Sequence, residues 1–472
     1  MQNTKTLQYL LGISFVAIII LIALLISQNT TYKTQDLTKY RAMYAKPIEQ
    51  WSKPSIDESV LDWEEFAPLP NRAQFPADNP FLPIKAFLGR TLFNEPRLSK
   101  SGQFSCESCH HRELASSDGL PRSLGHNGAL GRRNAPNTQM SGFFDELFWD
   151  GRAASLEEQV LGPITDPLEM ANTLEDAQNA IRNAPEYYVL FVAAFGDEET
   201  KAIWAQYYPK VFGQDQQSAT TNLAQNNPNV RIVPNLQDKQ EAIHINNATP
   251  KMQESIKNQL DEIFKSKAYN TLINEIKPQE NLADSIPQIP EVEIQKAKEL
   301  ITIQNIAKAI ATFERSFGIA RSTRFDRFLK GQYEALSDKE LFGLDIFRHK
   351  GGCMNCHYGA ILSDKKFHNI GLDFYGRQLQ DLGRYEVTNN PADLGAFKTP
   401  SLVNVSKTAP YMHNGIVPNL TGLIYLFNEG FAFPLPQGLE NNQPIPKKSA
   451  LIRPLGLSME EMEALEAFLQ AI

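Results

Sequence analysis

The chain has 472 residues, of which 42% are hydrophobic and 21% are charged, a composition that is ordinary for a folded protein. Its length predicts about three units of ~150 residues. The formal net charge of -8 argues against nucleic acid as a partner.

The first predicted element is an apolar run near the N-terminus. Positions 10–26 read LLGISFVAIIILIALLI and carry no charged residue. As a helix this run would rise about 25 Å, which is the short end of a membrane span. Because no Ala-x-Ala cleavage site follows, residues 1–28 are predicted as an uncleaved transmembrane signal anchor rather than a removed signal peptide. Residues 29–79 are polar and proline-rich, and they are predicted to form a tether.

The four cysteines form two Cys-x-x-Cys-His motifs, CESCH and CMNCH. A four-thiolate zinc site is the alternative, but the two pairs lie 244 residues apart, far beyond a zinc-ribbon spacing. If the 8 histidines were placed at random, a histidine would directly follow each of the two cysteine pairs in roughly one case in 3,500. Haem attachment requires a histidine at both positions. We therefore predict two covalently bound c-type haems. They are attached at Cys106, Cys109, Cys353 and Cys356, with His110 and His357 as the proximal iron ligands.

A repeated segment follows each haem motif. The stretches APNTQMSGFFDELFWDGRAASLEEQV and TPSLVNVSKTAPYMHNGIVPNLTGLI align without gaps, so that Gly151 matches Gly415 and Leu156 matches Leu420. This alignment predicts a tandem duplication of a mostly α-helical haem domain with long loops.

An insertion at about 200–298 separates the two copies. Of the 34 residues from 214 to 247, 13 are Asn or Gln, a composition that buries little apolar area. Apolar residues recur at helical spacing from Met252 to Phe264 and again from Ile303 to Phe313, which predicts two helices. The first of these is interpreted as a helix on the protein's own surface, with partner binding as the alternative.

Together, the haem motifs and the segments DGLPRSLGHNGALGRRNAPN, LFWDGRAASLEEQVLGPITDPLEM and FKTPSLVNVSKTAPYMHNG resemble the bacterial di-haem cytochrome c peroxidases, which include the MauG group. The resemblance covers about residues 80–200 and 299–472. It implies two class I cytochrome c-like domains. The first, peroxidatic domain would span 80–320, including the insertion, and the second, electron-transfer domain would span 321–472.

The resemblance also implies roles for single residues around the first haem. His126 would cap the iron in the resting enzyme, Trp149 would lie between the haems, and Glu169 would be the acid–base carboxylate. Gly125 and Gly128 flank His126, and glycine allows a loop to rearrange and release such a ligand.

Two further sites follow from the resemblance. A calcium ion would be bound by Asn134 together with the main-chain carbonyls of Thr408 and Pro410. The distal ligand of the second haem is a Met in the peroxidases and a Tyr in the MauG group, and the matching position here is Phe427. Phenylalanine has no lone pair for iron, and Tyr425 would point to another face of a helix. We therefore expect the second haem to lack methionine ligation.

These features predict a peroxidase that reduces hydrogen peroxide to water with electrons from a small cytochrome c or copper protein. One alternative is a MauG-like oxidase that modifies side chains of a protein partner, and a capping His126 argues against it. The other is a non-catalytic electron carrier, against which Glu169 argues. Because haem attachment of this type occurs outside the cytoplasm, we expect a single-pass inner-membrane protein with its catalytic domains in the periplasm. A homodimer is among the expected assemblies.

Overall fold

The computed structural model describes residues 36–70, 73–212, 289–316, 323–434, 436–439 and 444–472. Within these ranges the fold is mostly helical, as predicted, with one two-stranded antiparallel sheet. The helices are α1 (Thr38–Tyr44), α2 (Pro83–Phe93), α3 (Leu156–Thr165), α4 (Leu174–Arg182), α5 (Tyr188–Phe195), α6 (Glu198–Ala205), α7 (Pro209–Phe212), α8 (Glu291–Leu300), α9 (Ile303–Ser316), α10 (Arg324–Leu329), α11 (Asp338–Arg348), α12 (Tyr385–Thr388), α13 (Leu420–Asn428) and α14 (Met459–Leu469). The strands are β1 (Phe367–His368) and β2 (Phe397–Lys398).

Each haem motif belongs to a unit built on two crossing helices. In the first unit, Gly89 of α2 lies so close to α9 that a Cβ atom would come within 1.9 Å of the main-chain oxygen of Ala309. In the second unit, Gly343 of α11 meets Ala464 of α14 at the same 1.9 Å. Glycine is required at both crossings because any side chain would force the helices apart. The two units therefore repeat one packing arrangement.

The segments that align in sequence also adopt the same local structure. An antiparallel bridge closes a tight loop in each copy, at Leu147–Ala153 and at Tyr411–Val417. The side chains of Ser155 and Asn419 then accept main-chain N–H bonds and cap α3 and α13. Helices α3 and α13 are therefore structural counterparts, and the gapless alignment extends to the folded chain.

Residues 36–70 pack on the second unit, in contrast to the tether predicted from their composition. Tyr40 of α1 stacks on Phe342 of α11, with ring centroids 4.8 Å apart. Trp51 and Phe66, further along the segment, are buried in the same core. The prediction of a tether was based on the proline-rich composition and did not weigh the spaced aromatic side chains, each of which buries a large apolar area. We call residues 36–70 the N-terminal strap.

Arg348, the last residue of α11, holds the N-terminal strap in place. Its side chain is fully buried, and it donates hydrogen bonds to the carboxylate of Glu65 and to the main-chain oxygen of Ser52. The guanidinium also lies over the ring of Trp51, at 5.1 Å from its centroid. The strap thereby supplies both the counter-charge and the hydrogen-bond acceptors that a buried arginine needs.

Of the two helices predicted around the insertion, the one from Ile303 to Phe313 is present as α9. The one from Met252 to Phe264 lies outside the described residues, as does the predicted anchor at 1–28. Among the residues that the structure describes, no helix is both long and apolar enough to cross a membrane.

Candidate active site

Each Cys-x-x-Cys-His motif folds into a single tight turn. The two turns span Cys106–Ser108 and Cys353–Asn355. In both, the main-chain N–H of the following histidine donates to the carbonyl of the first cysteine, at 3.1 Å for His110 and 2.9 Å for His357. These hydrogen bonds fix each histidine relative to its cysteine pair.

Both histidines are prepared to bind a metal through Nε2. Nδ1 of His110 lies 3.0 Å from the main-chain oxygen of Ser116, and Nδ1 of His357 lies 2.9 Å from that of Leu362. Because a carbonyl only accepts, Nδ1 carries the proton and the lone pair lies on Nε2. Burial lowers the pKa of both imidazoles, which keeps them in the neutral form that metal ligation requires.

The four cysteines fit thioether attachment and do not form a zinc site. In the part of the chain that the structure describes, the only group of three or more converging ligand side chains is Cys356, Asp364 and His368, so the four thiols do not converge. Burial raises the pKa of Cys109 to about 11 and that of Cys353 to about 12. Zinc binds thiolates, which these surroundings disfavour, whereas a thioether carries no charge.

A cavity of about 440 Å³ lies between the two motifs. It is lined by Cys109 and His110 at one end and by Cys353, Cys356 and His357 at the other. A continuous space that both Cys-x-x-Cys-His motifs line is the arrangement expected for two covalently bound haems.

A smaller cavity, which we call the first cavity, opens beside the first motif and contains Glu169. It is lined by Cys106, Cys109, His110, Gln159, Glu169 and Glu314, among others. Burial raises the pKa of Glu169 to about 7, the nearby charge of Asp166 adds to the rise, and Arg152 opposes it. A carboxyl with such a pKa both takes up and releases a proton near neutral pH.

The loop that carries His126 lies directly against Glu169. The main-chain N–H of His126 donates to the main-chain oxygen of Glu169 at 2.8 Å. Gly125 is required here, because a Cβ atom would come within 2.0 Å of the main-chain oxygen of Leu168. Nδ1 of His126 is buried and has no hydrogen-bond partner among the described residues. The cavity wall is formed by Leu124 and Gly125 rather than by the imidazole of His126.

Trp149 lies where the two units meet. Its Nε1 donates to the main-chain oxygen of Asn134 at 2.9 Å, and its ring contacts the edge of His413, with centroids 6.5 Å apart. The main-chain oxygen of Trp149 also accepts from the N–H of Lys398. Trp149 therefore connects a first-unit loop with two segments of the second unit, and it lines the larger cavity between the haem motifs.

The three residues expected to bind calcium share one space. Asn134, Thr408 and Pro410 all line the larger cavity. The side-chain nitrogen of Asn134 donates to the main-chain oxygen of Leu120 at 2.8 Å, which fixes the amide group. The amide oxygen of Asn134 and the two main-chain carbonyls are of the ligand type that calcium prefers.

The larger cavity is apolar where it meets α13 of the second unit. Phe427 lines it together with Leu420, Leu423 and Ile424, all on α13. Tyr425 is 55% exposed and therefore faces away from the cavity, as its helical position predicts. The side of α13 that faces the second haem motif thus offers no iron ligand.

Two polar residues of the first cavity were not found from the sequence. Gln159 of α3 is the counterpart of Leu423 in the gapless alignment, so this difference between the copies could have identified it. Glu314, near the end of α9, is only 4% exposed, yet a lone glutamate in a helix ordinarily indicates a solvent-facing position.

Comparison with known proteins agrees with this geometry. A family model described as di-haem cytochrome c peroxidase matches residues 83–225. The cytochrome c551 peroxidase of Nitrosomonas europaea is 28% identical over 373 residues, which cover 77% of this chain and 81% of that protein. The methylamine utilization protein MauG of Methylorubrum extorquens is 26% identical over 405 residues, covering 85% and 82%.

Solved structures show the same fold. A MauG-like protein associated with microbial copper homeostasis is 25% identical, with a TM-score of 0.53 and coverage of 87% of this chain and 95% of that one. A variant of the diheme peroxidase BthA from Burkholderia thailandensis matches with a TM-score of 0.53 at 18% identity, covering 89% of each chain.

Proposed function

We propose that this chain, whose residues 83–225 match the di-haem cytochrome c peroxidase family, reduces hydrogen peroxide at its first haem with electrons that enter at its second. The family implies two c-type haems, hydrogen peroxide as the substrate and a cytochrome as the electron donor. The reaction is assigned to the first haem because Glu169, an acid–base carboxyl, lies beside the first Cys-x-x-Cys-His motif.

In the proposed mechanism, Glu169 moves a proton within the peroxide. When bound, the haem iron supplies the redox chemistry that breaks the oxygen–oxygen bond. The Glu169 carboxylate takes the proton from the inner oxygen and returns it to the outer oxygen, so that water is the leaving group. Partial burial keeps the pKa of this carboxyl near 7, where both transfers are favourable.

Trp149 is the proposed electron bridge and His126 the proposed resting cap of the first iron. The contacts of Trp149 with Asn134 and His413 support the first role, because they hold the indole between the two motifs. The unpartnered Nδ1 of His126 and its glycine-flanked loop support the second, because release of a ligand requires a loop that can move.

The alternatives gain less support. The MauG relative is no more similar to this chain than the peroxidases are, so it does not favour an oxidase acting on a protein partner. A non-catalytic electron carrier would need no acid–base carboxyl in a cavity beside its haem.

One spectral titration tests the proposal. The purified protein is reduced stepwise with dithionite and then mixed with hydrogen peroxide while haem absorption is recorded. We expect two haems per chain, two separate reduction steps, and rapid reoxidation by peroxide of the protein that carries electrons on both. A protein whose reduced haems do not react with peroxide would contradict the proposed function.

We also propose that the protein is anchored in the inner membrane by residues 1–28, with its haem domains in the periplasm. The uncharged run at 10–26 and the extracytoplasmic assembly of c-type haem support this location. A variant in which a cleavable export signal replaces residues 1–28 should be soluble and haem-loaded. Its persistence in membranes after a salt wash would show that another segment binds the membrane.

The proposal further includes a calcium ion at Asn134, Thr408 and Pro410, haem domains at 80–320 and 321–472, and a small cytochrome or copper protein as donor. The shared lining of one cavity supports the calcium site, and the two helix crossings support the division into domains. Metal analysis before and after chelation tests the first, and limited proteolysis tests the second. Light scattering tests the homodimer that we include as an assembly.

A further inference from the structure

The duplicated fold allows the surroundings of the two haem motifs to be compared position by position. Helices α9 and α14 make the same crossing through Ala309 and Ala464, so positions along them correspond. Five residues beyond each alanine, α9 carries Glu314 and α14 carries Leu469. Glu314 lines the smaller cavity beside the first motif, and Leu469 lines only the larger cavity that both motifs share. The first unit therefore has a carboxyl at the position where the second unit has a hydrocarbon side chain.

One oxygen of the buried Glu314 carboxyl, Oε2, has no hydrogen-bond partner among the described residues. The adjacent cation, Arg315, is occupied by Glu157, to which it donates at 2.6 and 2.7 Å. A buried carboxylate without a paired cation is strongly disfavoured, so Glu314 is held in its neutral, protonated form. Burial correspondingly raises its pKa to about 8.

The titratable groups that surround Glu314 belong to three other segments. They are Glu157 on α3, Glu169 on the loop after α3, and Cys106, Cys109 and His110 of the first haem motif. Glu314 and Cys106 line the same smaller cavity, so the carboxyl lies beside the first attachment point. Glu169 and Glu314 line the same cavity, and the first haem motif therefore faces two carboxyls.

The proton balance of the reaction requires a second source. One hydrogen peroxide, two electrons and two protons give two waters. Glu169 only redistributes protons that the peroxide already carries, and that step releases the first water. The oxygen left behind then takes two electrons from the donor and two protons that the peroxide does not supply.

We propose that Glu314 is a second acid–base residue of the first cavity, which gives its carboxyl proton to this remaining oxygen and is reprotonated from solvent. In this proposal the second haem carries electrons only, and the second unit accordingly has Leu469 at the position that corresponds to Glu314. This inference rests on the peroxidase function proposed above.

Two variants test the role of Glu314. Glu314→Gln keeps the size of the side chain but cannot release a proton, and Glu314→Leu copies the second domain. Both should retain two haems. When the reduced holoenzyme is mixed with one equivalent of peroxide, loss of peroxide should keep its wild-type rate. The later return of the first haem to its oxidised spectrum should slow by ~10-fold or more, since proton-transfer groups contribute ~10²- to 10⁴-fold. Glu169→Gln should slow the first phase instead.

An infrared difference spectrum provides a readout that needs no turnover. The oxidised-minus-reduced spectrum should contain the C=O band of a protonated carboxyl that is absent in both Glu314 variants. The exposed Glu299, substituted by Gln, is the matched control and should keep the band. If the wild type turns over peroxide and both variants keep its second-phase rate and its C=O band, only this inference fails. If the wild type turns over no peroxide, the proposed function fails and this inference fails with it.

Discussion

Replacing Glu169 with glutamine tests the acid–base role most directly. With a pKa of about 7, the carboxylate form is about half populated at pH 7, about a tenth at pH 6 and about a hundredth at pH 5. Because the carboxylate is the form that takes the proton from peroxide, wild-type kcat/KM should fall about tenfold per pH unit as the pH drops below 7. Glu169→Gln should lower kcat/KM by ~10²- to 10⁴-fold and abolish this dependence.

The assay is peroxide reduction by the reduced holoenzyme between pH 5 and pH 9, with the haem content of each variant measured first. Glu175→Gln is the matched control, because Glu175 is exposed and lies only six positions away. It should match the wild type at every pH. A fully haem-loaded Glu169→Gln protein with near-normal kcat/KM, or with an unchanged acid limb near pH 7, would remove Glu169 from the mechanism.

Three further predictions concern the resting state, the helix crossing and the second haem. His126→Gly should let the oxidised enzyme react with peroxide without prior reduction, because the proposed cap of the first iron is gone. Stopped-flow spectra of the oxidised variant mixed with peroxide measure this reaction. A high-spin first haem in the oxidised wild type would contradict the proposed cap. Gly343→Ala should destabilise the second unit by ~1–3 kcal/mol or more, because the new Cβ would lie 1.9 Å from the main-chain oxygen of Ala464. Thermal unfolding measures the lost stability, and an unchanged Tm would refute the tight helix crossing. Phe427→Met should introduce a methionine-to-iron charge-transfer band in near-infrared magnetic circular dichroism; the same band already present in the wild type would show that another methionine binds the second haem.

The sequence predicted what depends on local covalent and periodic patterns. The two haem motifs, helix α9 and the duplicated segments fall in this class, because each is specified by residues close together in the chain. The packing of the N-terminal strap was not predictable, since it depends on a surface formed by residues about 300 positions away. Glu314 was missed for a related reason: the burial of a helical glutamate is decided by the helices that pack around it, not by its own neighbours in sequence.

The position of the N-terminal strap sets the order in which the protein can fold. Arg41 bonds to Asp338, 297 residues further along the chain, and Tyr44 bonds to Asp345, 301 residues away. The strap is synthesised early, but it can pack only after α11 has been synthesised. Until then Trp51 and the other aromatic side chains of the strap have no surface to cover them. A chain interrupted before α11 would display these side chains to the cell's quality-control proteases. A pulling force applied at the N-terminal end of the strap would likewise act first on the second unit, although the first unit follows the strap in sequence.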